Sequence, residues 1–269
     1  MKYKLNQKDV EYTAEGRVNA GDETILLHQA IDLSKGKTWA SDGFTIEPLY
    51  NTELFRAFNA ETRYLLISLW KKSGLAVMDD FNIDQYHHLA TAQEQHLAAV
   101  EKTKLIPTSE FPLTIRRMEE RMSEICKTPL IAKNPFDHQS VFHFRVVRPN
   151  THDNNPLHRD VWLEDYSNCI NLYIPVAGSN RDSSLSIVPG SHHWPENKVT
   201  RTEAGAIIKG VKFNVPAVTE IKTEYQMVRP DPKENEVLVF SPYLIHGGAA
   251  NLNDDQTRIS IELRLWKKD

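Results

Sequence analysis

The chain has 269 residues, 40% of them hydrophobic and 25% charged, which suits a globular protein able to bury a full core and excludes a disordered or collagen-like chain. A net charge of −4 offers no broad basic surface, so neither nucleic acid nor an anionic membrane is expected as the main partner. The opening MKYKLNQKDVEY lacks the apolar core of a leader peptide, and Cys126 and Cys169 are the only cysteines, so free thiols and a cytoplasmic location are expected.

In chain order, the first fifty residues give weak signals, with short strands or turns around 25–27 and 44–48. Leu54, Phe55, Phe58, Tyr64, Leu65, Ile67, Leu69 and Trp70 then recur at near-helical intervals, and Gly74 after Lys71 and Lys72 reads as a helix stop. A second helix is predicted over 84–104, ahead of Pro107, and a third over 112–127, closed by Pro129. After residue 130 the pattern turns to short extended runs punctuated by Pro, Gly, Asn and Asp: 141–147, 169–176, 185–188, 237–240 and 258–266. Helices followed by strands predict an α+β fold, with 1–130 mainly helical and packed on the outer face of one sheet of a sandwich or jelly roll spanning 131–269. One domain, 1–269, is expected. The irregular stretch 191–236 reads as a long insertion that, with the first fifty residues, forms a lid.

The predicted strands divide cleanly into two faces. Along Arg258-Ile259-Ser260-Ile261-Glu262-Leu263-Arg264-Leu265, polar and apolar residues alternate. His143 and Arg145 oppose Phe142, Phe144 and Val146, while Asn171 and Tyr173 oppose Ile170, Leu172 and Ile174. The apolar faces are expected under the helices and the polar faces inside an open barrel, together with Ser184 and Ser186. So polar an interior predicts a small polar substrate rather than a hydrocarbon chain.

One short motif carries chemistry. His158 and Asp160 in Pro156-Leu157-His158-Arg159-Asp160, read as a strand, point to one face and offer a nitrogen and an oxygen to a single metal ion. With the distant His246 they make a two-His-one-carboxylate set, which leaves coordination positions open as non-haem Fe(II) oxygenases require. Trp162, two residues beyond Asp160, is expected on the same face as a wall of the substrate pocket. His87, His88 and His96 read as surface residues of a helix, and His192 and His193 as braces of a turn.

These segments, PLHRD, SIVPGSHHW, EVLVFSPYLIHGGAANLN and TRISIELRL, occur in the order found in one family. Residues 140–266 resemble the phytanoyl-CoA dioxygenase-like branch of the Fe(II)/2-oxoglutarate-dependent oxygenases. The resemblance implies a double-stranded β-helix of jelly-roll, cupin-like form, with iron held by His158, Asp160 and His246. It implies 2-oxoglutarate bound through Arg258 and Ser260, with Asn171 and Tyr173 on a strand that contacts the co-substrate in relatives. It further implies O₂ as oxidant, with succinate and CO₂ as products, and, since related halogenases lack a carboxylate at the position of Asp160, hydroxylation or another oxygen-rebound or desaturation chemistry at a substrate C–H bond. Arg145, His143 and Trp162 are the substrate-binding candidates. The alternative is a cupin-like metal-dependent binding protein or isomerase that acts on a polar ligand without 2-oxoglutarate, in which Arg258 is structural. No segment specifies an oligomeric state.

Overall fold

The computed structural model describes residues 1–151, 153–163 and 166–268. A hairpin of β1 (Lys2–Leu5) and β2 (Lys8–Glu11) opens the chain, followed by β3 (Val18–Asn19) and β4 (Phe44–Pro48). Helices α1 (Thr52–Lys72), α2 (Gln93–Lys102) and α3 (Ile115–Cys126) come next, with β5 (Ile106–Pro107) between the last two. Then follow β6 (Leu130–Ile131), β7 (Val141–Val147), β8 (Cys169–Ala177), β9 (Val199–Thr202), β10 (Ala206–Ile208), β11 (Val211–Phe213), β12 (Val218–Ile221), β13 (Glu236–Phe240) and β14 (Arg258–Lys267).

Helix α1 begins where the Asn51 side chain accepts the Leu54 N–H at 2.9 Å, an N-cap that satisfies an otherwise orphaned donor. It ends after Lys71 and Lys72, whose charge suits the negative end of the helix. In α3 the fully buried Met118, Met122 and Cys126 recur every fourth residue and form its core-facing stripe.

The helix expected over 84–104 is broken. A 3₁₀ turn spans Ile83–His88, and α2 starts only at Gln93. The Ala90 carbonyl accepts from Arg148 Nη1 at 3.2 Å, and the Ala92 N–H is taken by Gln95 Oε1, so side chains occupy groups that a continuous helix would use. The short strand or turn expected at 25–27 is also absent; Leu26 forms a bend between irregular neighbours.

The largest sheet is antiparallel, in the order β4-β13-β8-β14-β7-β5, with β6 paired to β14. Its register sets Glu262 of β14 opposite His143 on one side and Tyr173 on the other, with Ser260 opposite Arg145 and Arg264 opposite Asn171. One face is therefore polar. The other carries Phe142, Phe144, Ile170, Leu172, Ile174, Ile259, Ile261 and Leu263, which share one buried cluster with Phe58, Leu66, Trp70, Met118 and Met122 of the helices. Each such side chain contributes about 1.5–3 kcal/mol on burial. A one-residue slip of β14 would drive Glu262 and Arg264 into that cluster, so the alternation locks the register.

A less regular layer covers the polar face. His246 pairs with both His158 and Ile187, and Ile187 pairs with Val228, through isolated bridges rather than long ladders. The strand expected over 185–188 is thus reduced to Ile187. Leu185 and Ile187 pack with Tyr173, Leu238 and Phe240, so this segment presents its apolar residues to the interior. Ser184 and Ser186, which flank Leu185, are fully buried as well, and their hydroxyls have no hydrogen-bond partner. Within 191–236 lie β9 to β12, and β9 binds both β12 and β3, so the insertion and the chain's opening residues join in one small sheet. Among the described residues no helix is long and apolar enough to cross a membrane.

Candidate metal centre

His158 and His246 exchange two backbone hydrogen bonds of 2.9 Å, which sets their rings side by side with centroids 4.4 Å apart. Asp160 opens a 3₁₀ turn, Asp160–Trp162, rather than continuing a strand. Its N–H donates to the Pro242 carbonyl at 3.0 Å, which ties the turn to the chain entering His246. Asp160 Oδ1 lies 3.2 Å from His158 Nε2 and 3.6 Å from His246 Nε2. All three potential ligand atoms fall within 4.8 Å of one another, and all three residues are buried.

The surroundings fix which atoms face the centre. His158 Nδ1 lies 2.8 Å from the Pro156 carbonyl and His246 Nδ1 lies 2.9 Å from the Leu244 carbonyl. A carbonyl only accepts, so each Nδ1 carries a proton, and in a neutral ring the Nε2 lone pair then faces the centre. Burial, reinforced by the neighbouring His246, lowers the pKa of His158 and favours this neutral ring. Gly247 makes the close packing possible. Its φ is +100°, and a Cβ there would sit 2.4 Å from the Pro156 carbonyl and 3.0 Å from His158 Nδ1.

The second carboxylate oxygen of Asp160 is held separately. Arg264 donates to Oδ2 through Nε at 3.1 Å and Nη2 at 2.8 Å, and Asn171 Nδ2 donates at 3.0 Å. Burial pushes the Asp160 carboxyl up, but Arg264 and then His246 outweigh it and hold the group well below the usual carboxylate range. Two neutral imidazole nitrogens and one carboxylate oxygen, buried and oriented, form a donor set that fits a divalent transition metal with positions to spare.

On the same face of β14, Arg258 and Ser260 are buried, and Arg258 Nε and Nη1 and the Ser260 hydroxyl have no hydrogen-bond partner. A buried guanidinium without a partner is costly, so this cavity wall suits an anion. Tyr173 borders it: its ring centroid is 5.8 Å from Arg258 Cζ, and its hydroxyl meets Ser179 Oγ at 2.7 Å. Asn171 is spent on Asp160 through its amide nitrogen, while its Oδ1 is unpartnered.

The substrate candidates separate. Arg145 pairs with Glu262 at 2.7 Å on the polar sheet face. Burial pushes the Glu262 carboxyl up, and Arg145, followed by Arg264 and Arg258, overrides this to leave it at about 2. His143 Nδ1 accepts the Leu105 N–H at 3.0 Å, and burial, with Arg145 next in weight, lowers its pKa to about 3. Trp162 does not continue the face of Asp160 by strand alternation, because the backbone turns there. Its Nε1 donates to Glu196 Oε2 at 2.9 Å, and Arg201 Cζ lies 4.7 Å from the ring. The same Glu196 receives Arg159, which is fully buried between the two metal-type residues and also donates to the Ser191 carbonyl at 2.7 Å.

Among the other histidines, His96 is buried rather than exposed, between the Tyr86 hydroxyl at 3.1 Å and Asp153 Oδ2 at 3.4 Å. His192 braces its turn by reaching the Ala40 carbonyl at 3.0 Å. In the sequence Arg264 stands out only as one polar residue of an alternating strand, and Arg159 and Arg229 not at all. The strand register that brings Arg264 beside Asn171 was the signal available for the first.

Fold and centre together are those of a metal-dependent oxygenase. The chain belongs to the phytanoyl-CoA dioxygenase (PhyH) family, whose model matches residues 39–260, and it is an Fe(II)/2-oxoglutarate-dependent oxygenase with O₂ as the other co-substrate. Curated protein sequences give no match. Among solved structures, it is similar to the epimerase SnoN in complex with Fe³⁺, alpha-ketoglutarate and nogalamycin RO, at 12% identity, covering 89% of this chain and 85% of that one, with a TM-score of 0.50. It is also similar to AviO1 from Streptomyces viridochromogenes Tue57 (16% identity, 91% and 97% covered, TM-score 0.49). A third is EctD from S. alaskensis with 2-oxoglutarate and 5-hydroxyectoine (13% identity, 98% and 86% covered, TM-score 0.46).

Proposed function

We propose that His158, Asp160 and His246 hold Fe(II), that Arg258 and Ser260 bind the remote carboxylate of 2-oxoglutarate, and that the enzyme hydroxylates a C–H bond of a small polar metabolite. The observation that carries this reading is the pairing of a converged His-Asp-His set with a buried, partnerless Arg258 on the strand facing it. The two facing layers, one a regular sheet and the other the His158–His246–Ile187–Val228 bridges, support a double-stranded β-helix of jelly-roll form. When bound, iron and 2-oxoglutarate supply oxidising power from O₂, with decarboxylation to succinate and CO₂.

The protein's own residues orient and exclude. Pro156 and Leu244 fix the imidazole tautomers, while Arg264 and Asn171 hold Asp160 Oδ2 and leave Oδ1 for the metal. Arg258 anchors the far end of the co-substrate, with Ser260 and Tyr173 beside it. The half-buried His143, Arg145 and Glu262 are proposed to face substrate, with Trp162 bordering the entrance. Apolar residues of the same sheet face, Leu238 and Phe240, are occupied by Leu185 and Ile187. A hydrocarbon chain laid on the charged part would leave hydrogen bonds unmade at about 1–3 kcal/mol each. Two buried free thiols, Cys126 and Cys169, suit a reducing, cytoplasmic setting.

Succinate release from 2-oxoglutarate, with Fe(II), ascorbate and air, tests the reaction. Turnover that requires 2-oxoglutarate and fails in Asp160→Ala is expected. Metal binding without any 2-oxoglutarate consumption would favour the cupin-like alternative. A screen of polar metabolites against acyl-CoAs tests the substrate class, and hydroxylation of an acyl-CoA alone would overturn the polar assignment.

A further inference from the structure

Arg258 is not the only partnerless guanidinium near the co-substrate cavity. Arg229 follows Val228, whose backbone exchanges two 2.9 Å hydrogen bonds with Ile187, the residue that in turn bridges His246. Its Nη2 donates to the Ala250 carbonyl at 2.5 Å, four residues past His246, which pins the head group to the loop leaving the metal centre. Its Nε and Nη1 are buried and have no partner, as are Nε and Nη1 of Arg258. Neither arginine forms an ion pair among the described residues. Glu262, the acid on the same face of β14 as Arg258, is committed to Arg145 at 2.7 Å. Asp182 has its Oδ1 engaged by Asn6 at 2.8 Å.

Arg229 and Arg258 share one neighbourhood: Val228, next to Arg229, packs against the cluster that holds Tyr173, and Arg258 Cζ lies 5.8 Å from the Tyr173 ring. Burial is the main cause that brings the pKa of Arg229 down to about 10, and the charge of Arg258 is the next. Tyr173, which borders Arg258, acts on Arg229 as well. Two like charges in one low-dielectric neighbourhood repel, and burying them without a counter-ion is unfavourable for both. One anion placed between them relieves both costs. Each guanidinium has unused N–H donors, so a carboxylate placed between them accepts from both arginines at once.

We infer that Arg229 is a second co-substrate-binding arginine, which together with Arg258 clasps the remote carboxylate of the bound 2-oxo acid. The inference rests on the proposed 2-oxoglutarate site and deepens it. Its consequence is selectivity: a 2-oxo acid without the second carboxylate leaves two buried guanidinium groups unpaired instead of one. Because Arg229 lies within the 191–236 insertion, co-substrate binding also ties the insertion to β14.

The test is calorimetric titration of 2-oxoglutarate and of 2-oxovalerate, which has the same carbon chain but no second carboxylate, into anaerobic Fe(II)-loaded protein. Wild type, Arg229→Gln, Arg258→Gln and the double variant are compared, with melting temperatures recorded to establish folding. Arg229→Gln is expected to lose at least tenfold in 2-oxoglutarate affinity and less than twofold for 2-oxovalerate. The double variant should lose less than the product of the two single losses, since both groups hold one carboxylate. Wild-type 2-oxoglutarate affinity in a folded Arg229→Gln protein, or equal losses for both acids, would overturn the inference while leaving Arg258 in its role. If Arg229→Gln does not fold, Arg229→Lys replaces it, with the same selective loss expected and the same two results overturning the idea. Absence of 2-oxoglutarate binding to the wild type would instead remove the proposed co-substrate site itself.

Discussion

Arg264 grips a single oxygen of Asp160, with Nε 3.1 Å and Nη2 2.8 Å from Oδ2, while Oδ1 is left facing His158 and His246. The carboxylate is thereby divided into a held oxygen and a working one. Replacing Arg264 with Met removes two of the three hydrogen bonds that orient Asp160, since only Asn171 remains. Partners of this kind are worth about 10–100-fold in metal affinity. Chelator competition should show a loss of that size in Arg264→Met, and unchanged affinity in the folded variant would contradict the role assigned here.

Gly247 gives a second handle on the same centre. A methyl at this position must displace either the Pro156 carbonyl or the His158 ring, and the backbone φ of +100° adds strain. Gly247→Ala is expected to weaken metal binding at least tenfold. Gly74→Ala is the control: its φ is similarly positive at +92°, yet nothing lies within 4 Å of its Cβ position, so it should lose some stability but keep its metal affinity. Equal metal affinity in both variants would refute the steric argument.

His96 makes stability depend on pH away from the metal centre. Its ring is buried beside Tyr86 and Asp153, and burial, partly opposed by Asp153, lowers its pKa to about 4. An unfolded histidine titrates near ~6.5, so as pH falls the unfolded chain takes up this proton first. The contribution is complete above pH ~6.5 and lost progressively between ~6.5 and ~4, at up to about 1.4 kcal/mol per pH unit. Denaturant unfolding at pH 4.5 and 7 should reveal it, and His96→Gln should flatten the slope. A variant with the wild-type slope would assign the pH dependence to other groups.

The insertion and the opening residues meet where β3 pairs with β9 and Glu15 pairs with Ile207. If this layer closes over the centre, it should order further on ligand binding. Limited proteolysis is expected to cut first around the β10–β11 hairpin, whose Ile207 and Val211 are exposed. Cutting should slow with Fe(II), 2-oxoglutarate and substrate together. Indifference to all three would leave these segments as a fixed wall.

What the sequence made legible follows from periodicity and spacing. His158, Asp160 and His246 stood out by motif, and the two faces of β7, β8 and β14 followed from a period of two sustained over seven or more residues. Where regular runs were short, the reading failed. The run 185–188 makes isolated bridges at Ile187 instead of a strand, and its Leu185 and Ile187 pack with Tyr173 and Phe240. Long-range side-chain bonds were also hidden. Arg148 reaches Ala90 across 58 residues and interrupts a helix that local pattern favoured, and the burial of His96 depends on Asp153. Arg229 sits in a stretch without alternation, and only the folded chain brings its neighbour Val228 against the cluster of Tyr173, beside which Arg258 lies.

The most direct measurement is anomalous diffraction from crystals soaked anaerobically with Fe(II) and 2-oxoglutarate. The account predicts one iron peak within about 2.0–2.2 Å of Nε2 of His158, Nε2 of His246 and Oδ1 of Asp160, with the co-substrate's remote carboxylate on Arg258. Iron bound elsewhere, or a keto acid whose second carboxylate lies away from Arg258, would contradict it.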